Sequence, residues 1–314
     1  MPEGFPILMV EATAAALVVA AVAVLVCGWP WRAPRPLRSA LATLLGPAAG
    51  FYAGCAALGS VVRWSPREDQ GRFLLVLFPA VLIVEILGVF VRRRRAIAWL
   101  LRSAVAAVAA RVLLHGSVYL SPQSELDADG SLTSWQLALL AIGPIVVWAL
   151  LAGLARRAPG RSVPVALAMT TAGAAMALML SGYLTGGMLG LPLAAGLAGA
   201  VTGSLALPRD TDLRASIGPG VIGLFSLLVI GHFFGELTVT HALLLFGAPL
   251  LCWLPESVRT RRELPRLRAL VRVALVAVPV ALVVVQAGQK FSAASQPASG
   301  EGEATADDYA NYGQ

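Results

Sequence analysis

The sequence predicts an all-α, polytopic integral membrane helix bundle of about ten transmembrane helices. Two observations predict it. The 314 residues are 58% hydrophobic and only 13% charged, against roughly half apolar and a quarter charged in soluble domains. The apolar residues also gather into ten runs, each near the about 20 residues that cross a hydrocarbon core of about 30 Å. The runs fall at 8–28, 39–62, 73–91, 96–120, 135–155, 163–184, 188–207, 216–235, 237–254 and 269–288.

Run one reads as a retained helix, because the residues before it carry Glu3 and no positive charge, and no small-residue cleavage site follows. Run two carries Gly46, Gly50 and Gly54 at four-residue spacing, which lets helix backbones approach closely in lipid. Gly182, Gly186 and Gly190 repeat the spacing, but across the end of run six and the following turn, so a Gly-rich turn explains them equally well. Cys27, Cys55 and Cys252 lie far apart in or beside apolar runs and indicate neither a disulfide framework nor a zinc site.

Basic residues supply the orientation. Of the 24 Lys and Arg, 17 lie in clusters at 32–38, 92–95, 156–161, 209–214 and 259–268, while the alternate loops hold Arg63, Arg67, Arg72 and Lys290. The clustered side is cytoplasmic by the positive-inside rule. The stretches 163–207 and 216–254 then each cross an even number of times, as two spans or as a re-entrant hairpin. Both termini fall outside. Residues 1–290 form the bundle, and 291–314, rich in Ser, Ala, Gly, Asp and Glu, is expected to be a disordered acidic outer tail. Cationic charge is 23 Arg against one Lys, with abundant Ala and Gly. That bias points to a GC-rich bacterial genome, and so to a bacterial inner membrane.

A five-plus-five division gives two halves of opposite orientation, the arrangement of inverted-repeat transporters. Leu45-Gly46-Pro47 through Gly59-Ser60 in run two is echoed by Leu189-Gly190 through Gly203-Ser204 in run seven, and runs five and ten share a mid-helix proline, Pro144 and Pro279. Abundant Ala, Gly and Pro weaken the echo.

Ionisable groups at membrane depth are costly and mark interior or water-lined positions. Glu85 precedes Arg92 by seven residues and Arg102 follows Arg95 by seven. Both therefore lie about 10 Å inward at about 1.5 Å per residue, and a short turn makes runs three and four antiparallel neighbours. A buried ion pair between Glu85 and Arg102 is the expectation. Arg102 and Arg111 face opposite ways on run four, so that run is expected to be central and Arg111 buried. Glu11 and Arg272 lie near helix ends, where a long side chain reaches water.

All three histidines fall toward the outer face. His115 ends run four, and His232, Glu236 and His241 flank the turn between runs eight and nine with the spacing His-x3-Glu-x4-His. Imidazole and carboxylate are competent ligands for Zn or similar ions and can relay protons. The four residues are a candidate metal or polar cluster if they converge; a polar interfacial turn is the plainer reading. No GxSxG, GxxxxGK[ST] or HExxH occurs.

A net charge of +7 does not indicate nucleic acid, because the arginines form short inter-helix clusters and no single basic face. The expected partners are the lipid bilayer and, in one reading, other membrane subunits or a second copy. Three function classes remain: permease-like transport, an accessory subunit of a membrane complex, and an intramembrane enzyme acting on a lipid or lipid-linked substrate. A transporter should show a polar cavity reaching Glu85 or Arg102. A subunit should expose a small-residue face to lipid, and an enzyme should gather polar groups at a membrane surface.

Overall fold

The structure, a computed structural model, describes residues 5–29, 35–59, 68–91, 94–120, 132–157, 160–207, 212–257 and 265–294. The tail beyond Ala294 and the arginines at 32, 63, 67, 92, 93, 209, 259, 261 and 262 lie outside them. Among the described residues there is no strand. Ten helices are long and apolar enough to cross a membrane: α1 (Phe5–Gly28), α2 (Arg35–Ala57), α3 (Asp69–Phe90), α4 (Arg95–Leu113), α5 (Ser134–Arg157), α6 (Ser162–Leu180), α7 (Leu184–Leu205), α8 (Leu213–Phe233), α9 (Val239–Glu256) and α10 (Pro265–Ala294). Both doubtful stretches thus hold two full helices. The hinge between α6 and α7 uses Gly182 at φ +84°, a left-handed conformation open to glycine at little cost.

Prolines shape two spans. Within α3, residues Phe73–Leu77 form a π-helical turn just before Pro79. In that turn Phe78 N–H donates to Phe73 O; Pro79, with no N–H, cannot make the next such bond to Leu74 O. Tyr52 of α2 supplies it, its hydroxyl donating to Leu74 O at 2.9 Å. In α9 a 3₁₀ stretch, Ala248–Trp253, begins beside Pro249 and separates two α-helical parts. Because 3₁₀ backbone rises about 2.0 Å per residue against about 1.5 Å, this short span still reaches about 30 Å, the thickness it must cross.

Helix α8 is the column of the bundle. Every residue from Ile217 to Gly231 is buried, as expected for a helix apolar all round, and α3 to α7 and α9 surround it. The buried hydroxyl of Ser226 is satisfied by Ile222 O at 2.7 Å, four residues back, and Thr170 and Thr171 of α6 do the same. Run four is not central, contrary to the sequence expectation. Leu100 of α4 is 70% exposed, and Arg111 lies exposed in the helix's last turn. Charge on two faces of α4 is tolerated because Arg102 has a partner inside, while Arg111 is near enough to the helix end for its head group to reach water.

Glycines close a second packing centre. A Cβ at Gly54 would lie 3.0 Å from Ala12 O, one at Gly46 would lie 3.1 Å from Ala20 O, and one at Gly50 would strike Ala16 O. Each four-residue step up α2 thus meets a four-residue step down α1, an antiparallel seam of backbone on backbone. Gly196, Gly199 and Gly203 of α7 complete it against Pro47 O, Leu17 O and Ala21 O. The two halves of the chain pack unequally: α6 lies against α8 and α10, whereas α1 makes no comparable contact with α3 or α5.

Candidate functional site

A partly open cavity of about 250 Å³ lies where α2, α3, α4, α5 and the entry to α8 meet. Helical spacing aims its lining. Arg95, Ala98, Trp99 and Arg102 fall at i, i+3, i+4 and i+7 on one face of α4; Trp148, Ala152 and Arg156 step by four along α5; Glu85, Gly88 and Val89 share a face of α3. Asp212, Arg214 and Ala215 come from the chain entering α8. Arg95 begins its helix and Arg156 lies in the last turn of its own, so the cavity belongs to the arginine-rich end of the bundle.

At its inner wall Glu85 and Arg102 form a two-pronged pair. Arg102 Nε donates to Glu85 Oε1 at 3.0 Å and Nη2 to Oε2 at 2.8 Å, the bidentate geometry that makes Arg–carboxylate contacts strong and directional. The Glu85 side chain is 3% exposed and that of Arg102 21%. The guanidinium carbon lies 5.2 Å from the Trp99 ring centroid and 5.7 Å from that of Trp148, within the range at which aromatic faces attract cations. Gly88 lies beside the pair, at a distance where a Cβ would make ordinary contact with Arg102 Nη2 at 3.6 Å.

The entry to α8 is tied down by α2. Ser39 Oγ accepts from Asp212 N at 2.7 Å, and Thr43 Oγ1 donates to Asp212 O at 3.0 Å. Asp212 Oδ1 accepts from Arg214 N at 3.0 Å and lies 3.4 Å from Arg214 Nε, which itself donates to Ala155 O at 3.1 Å. Nearby, Arg161 donates to Ser204 Oγ and Ser204 O, satisfying the C-terminal end of α7 as a cation should.

A second buried pair was missed by sequence reasoning. Arg272 of α10 does not reach water from its helix end; its side chain is 8% exposed and is bonded to Glu256 and, at 3.0 Å, to Ser162 Oγ. A usable signal existed. Glu256 and Arg272 flank the basic loop 259–268 as Glu85 and Arg102 flank 92–95.

The outer histidines are not gathered into a metal site. His115 and Glu236 are exposed. His232 Nδ1 is hydrogen-bonded to Leu237 O at 2.8 Å, and buried His241 pairs through Nε2 with Gln286 Oε1 of α10 at 2.9 Å. Among the described residues no group of three His, Cys, Asp or Glu side chains could hold a metal ion. The reason is local. The turn after α8 folds Leu237 N–H back to Gly231 O, and Thr238 caps α9, leaving His241 directed at α10. The same end instead carries a bond from the Tyr183 hydroxyl to Asp69 Oδ2 at 2.9 Å, with Gln70 donating to Tyr183 at 3.3 Å. Burial, the largest influence, pushes the Tyr183 phenol above its usual 10.

Ten apolar helices, one of them a fully buried central column, with a basic pocket at one end, fit a multi-pass membrane protein of the α-helical class. Compared with known families and curated proteins, the chain matches no family model and no curated protein significantly.

Proposed function

We propose that the protein is a permease-like carrier of the bacterial inner membrane, with both termini outside and the arginine-rich pocket as its cytoplasmic vestibule. The observation that carries this reading is the cavity itself: a space of mixed lining that reaches the charged side chains of Glu85 and Arg102, inward of the helix ends. Charged groups at such depth are usually retained where they line a substrate or ion path. The glycine face of α2, which an accessory subunit would offer to a partner, is already occupied by α1 and α7. The polar groups that an outer-surface enzyme site would need do not converge: His232 and His241 are separately engaged, and His115 and Glu236 lie exposed.

Purified protein in proteoliposomes, screened with cationic, zwitterionic and anionic solutes, tests the reading. A saturable flux that Arg102→Met abolishes supports it. Absence of any protein-dependent flux across the panel, or flux indifferent to Arg102→Met, removes it.

A further inference from the structure

The pocket's charge is unbalanced in a way that names a ligand class. Of its four arginines, Arg102 is neutralised by Glu85 and Arg214 lies against Asp212. Among the described residues neither Arg95 nor Arg156 has a carboxylate partner; Arg156 donates from Nε to its own helix at Ala152 O. Two positive charges from two helices therefore face one cavity with no carboxylate paired to them among the described residues. The space of about 250 Å³ far exceeds one water's share of about 30 Å³ yet falls below the roughly 300–1,000 Å³ of sites for larger organic ligands.

We propose that this pocket binds a phosphate group, held between Arg95 and Arg156 over the Trp99–Arg102–Trp148 wall. A phosphate monoester carries up to two negative charges on a compact tetrahedron, which matches the excess in sign and number and fits within the space. Guanidinium forks suit its oxygens because each can donate two parallel hydrogen bonds. Glu85 keeps Arg102 from competing as a third anchor and holds the floor of the site in place. The phosphate can belong to a soluble solute or to a lipid headgroup whose tail leaves by the open side; the chemistry at the arginines is the same. The proposal rests on the vestibule reading for its biological meaning, but it is a statement about binding and is tested without transport.

The test uses the full chain in neutral detergent and in nanodiscs, read by Tm and by tryptophan fluorescence. Inorganic phosphate, against chloride at matched ionic strength, should raise Tm saturably by roughly 2–4 °C. Phosphatidic acid nanodiscs, against phosphatidylcholine, should do likewise. Arg95→Gln or Arg156→Gln should each weaken the response about tenfold, the loss expected for a charge-assisted contact, and the double variant should abolish it. Arg111→Gln, outside the pocket, should keep it. Response to both probes marks a soluble phosphate site, and response to phosphatidic acid alone marks a headgroup site; either supports the proposal. No response to either probe, an equal response to chloride, or a response unchanged in the double variant overturns it. Phosphate binding without any solute flux would remove the carrier reading and leave the site standing.

Discussion

Gly218, one turn into α8, faces Glu85 so closely that a Cβ there would lie 2.7 Å from Glu85 Oε1 and would strike Trp148. The central helix, the buried acid and one wall of the pocket therefore share a single point of contact. Gly218→Ala should push Glu85 off the Arg102 fork and destabilise the protein by about 1–3 kcal/mol, the usual cost of overpacking. Gly220→Ala is the comparison, since its Cβ would meet the flexible tip of Leu167 at 3.1 Å, with Leu167 Cβ and Leu197 Cδ1 at 3.5 Å, and no charged group; it should cost less than Gly218→Ala. Thermal unfolding of the two variants in one detergent decides; equal losses would mean that the Glu85 contact is irrelevant.

The glycine seam should tolerate substitution even less. Gly50 of α2 meets Ala16 O, Ala20 Cβ and Gly196 Cα at once, two neighbours being backbone that cannot rotate away. Gly50→Leu should block the close approach of α1, α2 and α7 and abolish recovery of monodisperse protein, whereas Gly160→Leu, with nothing within 4 Å of its Cβ, should purify normally. Size-exclusion profiles give the answer, and a normal Gly50→Leu peak would refute the seam.

Orientation rests on charge alone and is directly accessible. In a background with Cys27, Cys55 and Cys252 replaced by Ser, single cysteines at Ser124 and Ser299 should react with a membrane-impermeant thiol reagent added to intact cells. One at Gly160 should react only after permeabilisation. The opposite labelling would invert the topology and place the arginine pocket outside.

Run length and charge made the helices legible because lipid leaves the backbone few alternatives, and the ten apolar runs correspond to ten helices, although run four, read to residue 120, ends as a helix at Leu113 and run ten, read to residue 288, continues to Ala294. Depth was legible too, since counting residues from the Arg92–Arg95 loop put Glu85 and Arg102 level. Azimuth was not: what aligns the fork is the space at Gly218 and the rings of Trp99 and Trp148, contacts that run length and charge do not encode. The identity of the central helix was hidden for a related reason. Arg102 and Arg111 made run four look interior, but one arginine is paired and the other exposed, while run eight, with almost no polar signal, is the one enclosed. The pocket escaped notice because Arg95, Arg156 and Arg214 read as ordinary loop charge until three helix ends are brought together.

Two acid–arginine pairs of opposite asymmetry allow the strongest test. In the first, the acid is the deeper member, Glu85 at 3% side-chain exposure against Arg102 at 21%. In the second, the arginine is deeper, Arg272 at 8% against Glu256 at 24%. Removing one partner of a buried pair costs about 3–5 kcal/mol when it strands the other's charge, and less when the survivor can reach water. Arg102→Met, which strands Glu85, should therefore destabilise more than Glu85→Gln. At the second pair the order should reverse, Glu256→Gln costing more than Arg272→Met, because Arg272 would keep only Ser162 Oγ at 3.0 Å. Each double variant should recover part of the larger loss, since coupled neighbours do not add. Loss of arginine packing alone predicts a different pattern, with the arginine variant the costlier in both pairs. Four single and two double variants, compared by thermal unfolding, separate the two accounts: the same order in both pairs, with additive doubles, would show that the charges are not held by each other.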